Sequence, residues 1–190
     1  AYTGLVCKAA DAGYKVFIVL AGLHNNLRSQ TQTRLEEGFL GYRAVPPGEA
    51  AGGFEPIGVH HFGPGLRADS VTNRNENGDF RRTIAQHFAI HPGGNPLLFV
   101  VKKNVTILKN LLAWIHHSAD ARDPDGGRRY HRDTPILIID DESDQASIDT
   151  KRMPIDENGQ PDLEHDPTKT NRLIRSLLYS FDKSAYVGFT

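Results

Sequence analysis

Pro135-Ile136-Leu137-Ile138-Ile139-Asp140-Asp141-Glu142-Ser143-Asp144 is the stretch on which the reading of this chain turns. Its apolar run is short and rich in β-branched residues, which suits a strand buried on both faces, as in parallel sheets covered by helices. The run passes directly into acid. In open α/β sheets, functional residues gather at the carboxyl ends of the strands. A strand that delivers adjacent carboxylates to that edge matches the way nucleotide hydrolases work. One Asp holds Mg²⁺, usually through its water shell, and the following Glu orients or deprotonates the attacking water. The plainer alternative is a strand ending in a solvated acidic turn; three successive acids on a central-looking strand favour chemistry.

Working outward, the same apolar texture recurs at residues 15–20 (KVFIVL), 96–102 (PLLFVVK) and 185–189. Between these runs the period changes to that of helices. Residues 1–12 read as a helix stopped by Gly13. Residues 24–40 place Leu27, Thr31, Leu35 and Phe39 four apart, with Asn25 or Asn26 as a cap. Residues 105–117 carry Ile107, Leu111, Leu112 and Ile115, and residues 168–181 carry Leu173, Leu177 and Leu178. Residues 118–134 read as a polar loop and 149–167 as an acidic, turn-rich segment. Residues 41–96 are dense in Gly, Pro, Asn and charge, with short apolar runs at 57–62 and 83–90. They read as an insertion or loosely structured region holding one or two strands at most. The alternation predicts a three-layer α/β fold, a mainly parallel sheet with helices on both faces.

At 190 residues the chain fits one domain. Its net charge of −1 advertises no overall basic character, although a balanced total can hide a basic stripe. A single cysteine, Cys7, rules out an internal disulfide framework, fits a reducing cytoplasm and has no paired base in sequence that would make it a nucleophile. No apolar run approaches the ~20 residues that span a bilayer, and no signal peptide opens the chain. There is no initiator Met; the first residues read as the middle of a helix and 185–190 as a buried strand with nothing after it. A fragment of a longer protein is therefore expected.

Three lesser constellations complete the set. Leu20-Ala21-Gly22-Leu23-His24-Asn25-Asn26-Leu27-Arg28-Ser29-Gln30 joins a strand to a helix, and its amide side chains and helix-start N–H groups suit a phosphodiester backbone. Taken alone it is an ordinary helix cap. Nine histidines include the pairs His60-His61 and His116-His117, but none has zinc-site spacing, so no zinc is expected. Arg128-Arg129-Tyr130-His131-Arg132 is a small basic-aromatic run of the kind that touches nucleic acid, and more often a solvated loop.

Asp141-Glu142-Ser143-Asp144 resembles the D-E-x-D motif of superfamily-two helicases. Leu20-Ala21-Gly22 followed by Leu27 and Gln30 resembles their A-P-T-like turn followed by L-x-x-Q, and Gly188-Phe189-Thr190 resembles the start of their T-A-T coupling motif. Residues 2–41, 97–115 and 168–190 are similar to the ATPase part of the bacterial endonuclease family that carries the so-called Z-one domain. The resemblance implies a RecA-like, P-loop NTPase-type first motor lobe over residues 1–190, incomplete because its G-x-G-K-T (Walker A) loop would lie immediately before Ala1. It implies Mg²⁺ and ATP as ligands of the full-length protein, with Asp141 holding Mg²⁺ through water and Glu142 as general base. Asp144 would couple to Thr190, and Gly22, Asn25, Asn26 and Gln30 would face nucleic acid. The implied partners are DNA, the Walker A segment, a second RecA-like lobe and a nuclease domain of the same polypeptide, and a second copy of the fragment. No membrane partner is expected, and the fragment alone is expected to be inactive.

Two other readings remain open. One is a metal-dependent nuclease using Asp140, Asp141 and Glu142 directly; no acid lies two residues before Lys102 or Lys103 to complete an E-x-K pattern. The other is a non-catalytic binding or scaffold module. A structural expectation also follows from the resemblance: the strand ahead of the missing loop would sit between the strand ending at Leu20, or its neighbour, and the strand ending at Asp140. Its slot would then be closed by rearrangement or by a dimer.

Overall fold

The computed structural model describes residues 2–45, 55–63, 65, 67–143 and 169–190. In chain order these form helix α1 (Tyr2–Asp11), strand β1 (Val16–Ala21), helix α2 (Asn25–Leu35), strand β2 (Asp69–Ser70), the short helix α3 (Arg82–Ala85), strand β3 (Leu97–Val101) and helix α4 (Val105–His117). The small strands β4 (Ala121–Arg122) and β5 (Arg129–Tyr130), strand β6 (Ile136–Asp141), helix α5 (Lys169–Tyr179) and strand β7 (Ser184–Gly188) follow. α2 runs on into a π-helical turn, Glu36–Leu40, which ends at the left-handed Gly41.

β2-β3-β1-β6-β7 is the order of a five-stranded, all-parallel sheet. The four apolar runs of the sequence are four adjacent members of it. β1, β3 and the first five residues of β6 are buried throughout. Their side chains alternate between two cores, which is why each run is continuously apolar rather than alternating. Val16, Ile18, Leu20, Phe99, Val101, Ile136 and Ile138 pack with α4 and α5. Phe17, Val19, Leu98, Val100, Leu137 and Ile139 pack on the opposite face with α1 and with Leu35 and Phe39. Helices thus cover both faces.

No open slot remains where one was expected: β1 and β6 are direct neighbours over their whole length, from Val16↔Ile136 to Ala21↔Asp141, and no strand lies between them. Among the described residues the sheet has two edges without a strand partner, the outer sides of β2 and of β7. Accordingly β7 is not the fully buried strand expected for 185–189. Its residues alternate between exposed and half-buried, with Tyr186 42% exposed.

The 41–96 region holds one strand, within the one or two expected, although not in its apolar runs. The apolar runs at 57–62 and 83–90 hold a 3-10 turn, Gly58–Phe62, and the helix α3 rather than strands. The strand comes from Asp69–Ser70, which the composition does not flag, and it extends the sheet beyond β3. Irregular backbone here is nevertheless firmly held. α2 turns a polar stripe inward: Arg28, Gln32 and Glu36 are buried beside Thr31 and Leu35. Arg28 donates to the carbonyls of Asn73 (2.8 Å) and Asn75 (2.6 Å). Gln32 donates to Ser70 Oγ and accepts from Thr72, and Arg74 pairs with Glu36. Buried charges are tolerated where they are paired and hydrogen-bonded, and here they fasten residues 70–79 to α2.

Candidate functional site at the carboxyl edge of the sheet

The carboxyl ends of β3, β1, β6 and β7 lie side by side, so the parallel sheet assembles the loops that follow them along one edge. β6 supplies Asp140, Asp141 and Glu142. Asp140 belongs to the α4–α5 face by the parity of its strand and is fully buried. Each of its oxygens has one neighbour. Lys103 Nζ approaches Oδ1 to 2.7 Å as a charge contact without hydrogen-bond alignment, and the Tyr186 hydroxyl donates to Oδ2 at 2.8 Å. Burial, followed by the adjoining Asp140 carboxylate, pushes the Tyr186 phenol well above its ordinary pKa.

Asp141 points to the other face. There the Tyr2 hydroxyl, at the first turn of α1, lies against the Asp141 carboxylate and also donates to Thr31 Oγ1 at 3.2 Å. Burial first, and then this carboxylate, raise the Tyr2 pKa. The Tyr2 ring also packs on Phe189, with centroids 5.8 Å apart.

Glu142 is the residue that turns the chain at the edge. Its φ of 58° lies in the left-handed region, which disfavours a residue bearing a Cβ and which clusters at functional sites. Its Oε2 is buried without a hydrogen-bond partner and packs over Gly22, itself at φ 42°. A Cβ built on Gly22 would stand 2.9 Å from that oxygen and 3.1 Å from Leu27 Cδ1. The turn is held from three sides. The Lys103 ammonium donates to the Glu142 carbonyl, and the Lys103 amide donates to the Gly22 carbonyl at 3.0 Å. The Ser143 amide donates to the Phe189 carbonyl at 2.8 Å, while the Phe189 amide donates to the Asp140 carbonyl at 2.8 Å.

Of the residues singled out from sequence, Asp141, Glu142 and Gly22 converge here, and exposed Thr190 follows Phe189 at the same edge. Asp144 lies outside the described residues. Asn26 and Gln30 are exposed on α2, and Asn25 is half-buried with an unpartnered Oδ1. Gly22, expected on the nucleic-acid side, packs against Glu142. Lys103, Tyr186 and Tyr2 were missed. For Lys103 there was a usable signal: it ends a buried strand immediately before Asn104, whose side chain caps α4 by accepting from the amides of Thr106 and Ile107. That placement puts an otherwise solvent-seeking ammonium at the sheet edge.

Among the described residues no group of three or more His, Cys, Asp or Glu side chains is arranged to hold a metal. With Asp140 engaged, Asp141 and Glu142 remain, and Glu142 Oε2 has no hydrogen-bond partner among the described residues. Two carboxylates suit Mg²⁺, which keeps several waters and draws its other ligands from phosphate. They would not cage a metal by themselves. The larger cleft, about 620 Å³, is elsewhere, lined by Cys7, Asp11, Phe39, Tyr42, His60 and Asp69 near the amino ends of the strands. No described helix is long and apolar enough to cross a membrane. Comparison with known proteins found no matching family model, no matching curated protein and no matching solved structure.

Proposed function

We propose that this chain is the first RecA-like lobe of a nucleic-acid-dependent ATPase of helicase type, working on DNA beside an endonuclease in the same polypeptide. The observation that carries the reading is the packing of Tyr2, at the amino end of α1, on Phe189, whose amide bonds the Asp140 carbonyl at 2.8 Å. The amino end of α1 and the carboxyl end of β6 converge, so residues directly ahead of α1 would enter the edge where Asp141 and Glu142 stand. The family resemblance places the phosphate-binding loop in that position, and a helix amino terminus favours phosphate through its free N–H groups and dipole.

In this reading Asp141 holds Mg²⁺ through water and Glu142 takes the proton of the attacking water or orients it. Mg²⁺ would supply charge neutralisation on the phosphates. Asp144 and Thr190 would couple hydrolysis to movement, and Gly22, Asn25, Asn26 and Gln30 would support or contact the nucleic-acid backbone. Residues 1–190 contain no G-x-x-x-x-G-K-[ST] sequence, so the chain alone is expected to bind Mg·ATP weakly. A nuclease centre using Asp140 as a metal ligand is disfavoured, because Lys103 and Tyr186 already occupy both oxygens.

The test is Glu142→Gln in the intact polypeptide. Turnover should be abolished with Mg·ATP binding largely retained, since the change removes the base and keeps the shape. Hydrolysis near the wild-type rate would overturn the assignment.

A further inference from the structure

We propose that Lys103 is a positioning residue for the Asp141-Glu142 turn, acting from the β3–α4 loop across the end of β1 by gripping the Glu142 carbonyl while Asp140 holds its charge. For its functional consequence the inference rests on the ATPase reading; its structural half stands without it.

A lysine side chain with no solvent exposure needs an explanation, because taking an ammonium out of water is costly unless a counter-charge compensates. Asp140, equally unexposed, supplies that charge at 2.7 Å. Such a pair is a poor device for stability alone, since two apolar side chains of similar size commonly do as well. What an apolar pair cannot do is donate to a carbonyl. The Lys103 ammonium donates to that of Glu142, the one described non-glycine residue with positive φ. A conformation disfavoured by the local backbone persists only where its surroundings hold it, and here the holder is a cation. Asp140 fixes the ammonium, Tyr186 fixes Asp140 at 2.8 Å, and the Lys103 amide bonds the carbonyl of Gly22, over which Glu142 Oε2 packs. The cation after β3 thereby sets where the carboxylate after β6 stands, two strands away. Its occupancy would link the β3–α4 loop to the hydrolytic edge.

The double variant Lys103→Met with Asp140→Val separates this role from stability, because it removes both charges together. In the 190-residue chain, amide exchange should accelerate by at least about tenfold at Ser143 and Phe189. Exchange at Val19 and Ile138, and the denaturation midpoint, should stay close to wild type. Unchanged exchange at Ser143 overturns the proposal. In the intact polypeptide the double variant should lose at least about tenfold in kcat with KM for Mg·ATP and binding stoichiometry within about twofold. Full recovery of kcat in the double variant, with Glu142→Gln inactive, means that the pair is only structural and sinks the positioning role alone. A wild-type polypeptide that hydrolyses no ATP, with or without DNA, overturns the ATPase reading and the catalytic half of this inference, while the exchange result still decides the grip.

Discussion

Lys103, just beyond β3, and Asp140, near the end of β6, sit at the ends of two strands that do not touch, yet they meet at 2.7 Å with neither side chain exposed to solvent. β1 runs between them, so the contact passes over the end of the central strand and ties three carboxyl termini into one edge. Breaking such a pair from one side leaves the other charge buried alone. Lys103→Ala or Asp140→Ala is expected to destabilise the chain by about 3–5 kcal/mol, and the double variant by clearly less than the sum. Urea unfolding of the four chains measures this; additive losses would mean that the charges do not interact.

Gly22 makes room for Glu142. With φ at 42° and 2.9 Å between a would-be Cβ and Glu142 Oε2, Gly22→Ala adds backbone strain to a clash. A loss of about 1–2 kcal/mol is expected, with a loss of ATP turnover larger than the stability change explains. Stability and turnover both at wild-type level would show that the glutamate has room to move.

Arg28 clamps residues 73–79 to α2 through two carbonyls, with Asp79 3.9 Å from its Nε. Arg28→Lys keeps the charge but not the planar fork that reaches both acceptors. We expect it to lose about 1–3 kcal/mol, because at least one buried carbonyl is left unpaired, and to render 73–79 more susceptible to limited proteolysis. A lysine variant as stable and as resistant as wild type would contradict the clamp.

His131 is buried, stacked on Phe181 with centroids 4.9 Å apart, and its Nε2 lies 3.2 Å from the Ile115 carbonyl. Burial lowers its pKa below the ordinary 6.5. The unfolded chain therefore takes up the proton more readily than the folded one. The stabilising contribution is complete above the unfolded value, and it is lost as pH falls from there through the lowered folded value. His116, lowered by burial and then by Arg129, has the same sign. Glu36 and Asp79, raised by burial, have the opposite sign, so their stability contribution improves as pH falls through their raised values. Comparison with His131→Gln cancels these other groups. Between about pH 7.5 and about pH 5.5 the wild type should lose more stability than the variant. Equal losses would remove His131 as the cause.

Much of the fold was legible because burial on two faces writes itself as uninterrupted apolar runs. β1, β3 and β6 needed nothing more. α4 was equally plain from its apolar stripe. β2 was not legible, since Asp69 and Ser70 have no strand-like composition and join the sheet only because α2 and β3 hold them there. The inward face of α2 was read only in part, for a related reason. Thr31, Leu35 and Phe39 are buried as expected. Leu27, Thr31, Leu35 and Phe39 formed the visible stripe, yet Arg28, Gln32 and Glu36 are buried. Their burial depends on partners more than 30 residues away in the chain.

By itself, the sequence determined that β1, β3 and β6 are buried strands and that a row of carboxylates follows one of them, because hydrophobicity is a property each residue carries alone. Only the tertiary structure decided that β6 lies directly against β1, that the first turn of α1 reaches Asp141, and that Lys103 belongs inside. Strand order and the burial of a charge are properties of pairs. An ammonium is read as solvent-seeking until a carboxylate such as Asp140 is placed 2.7 Å away, and no periodicity along the chain records that distance.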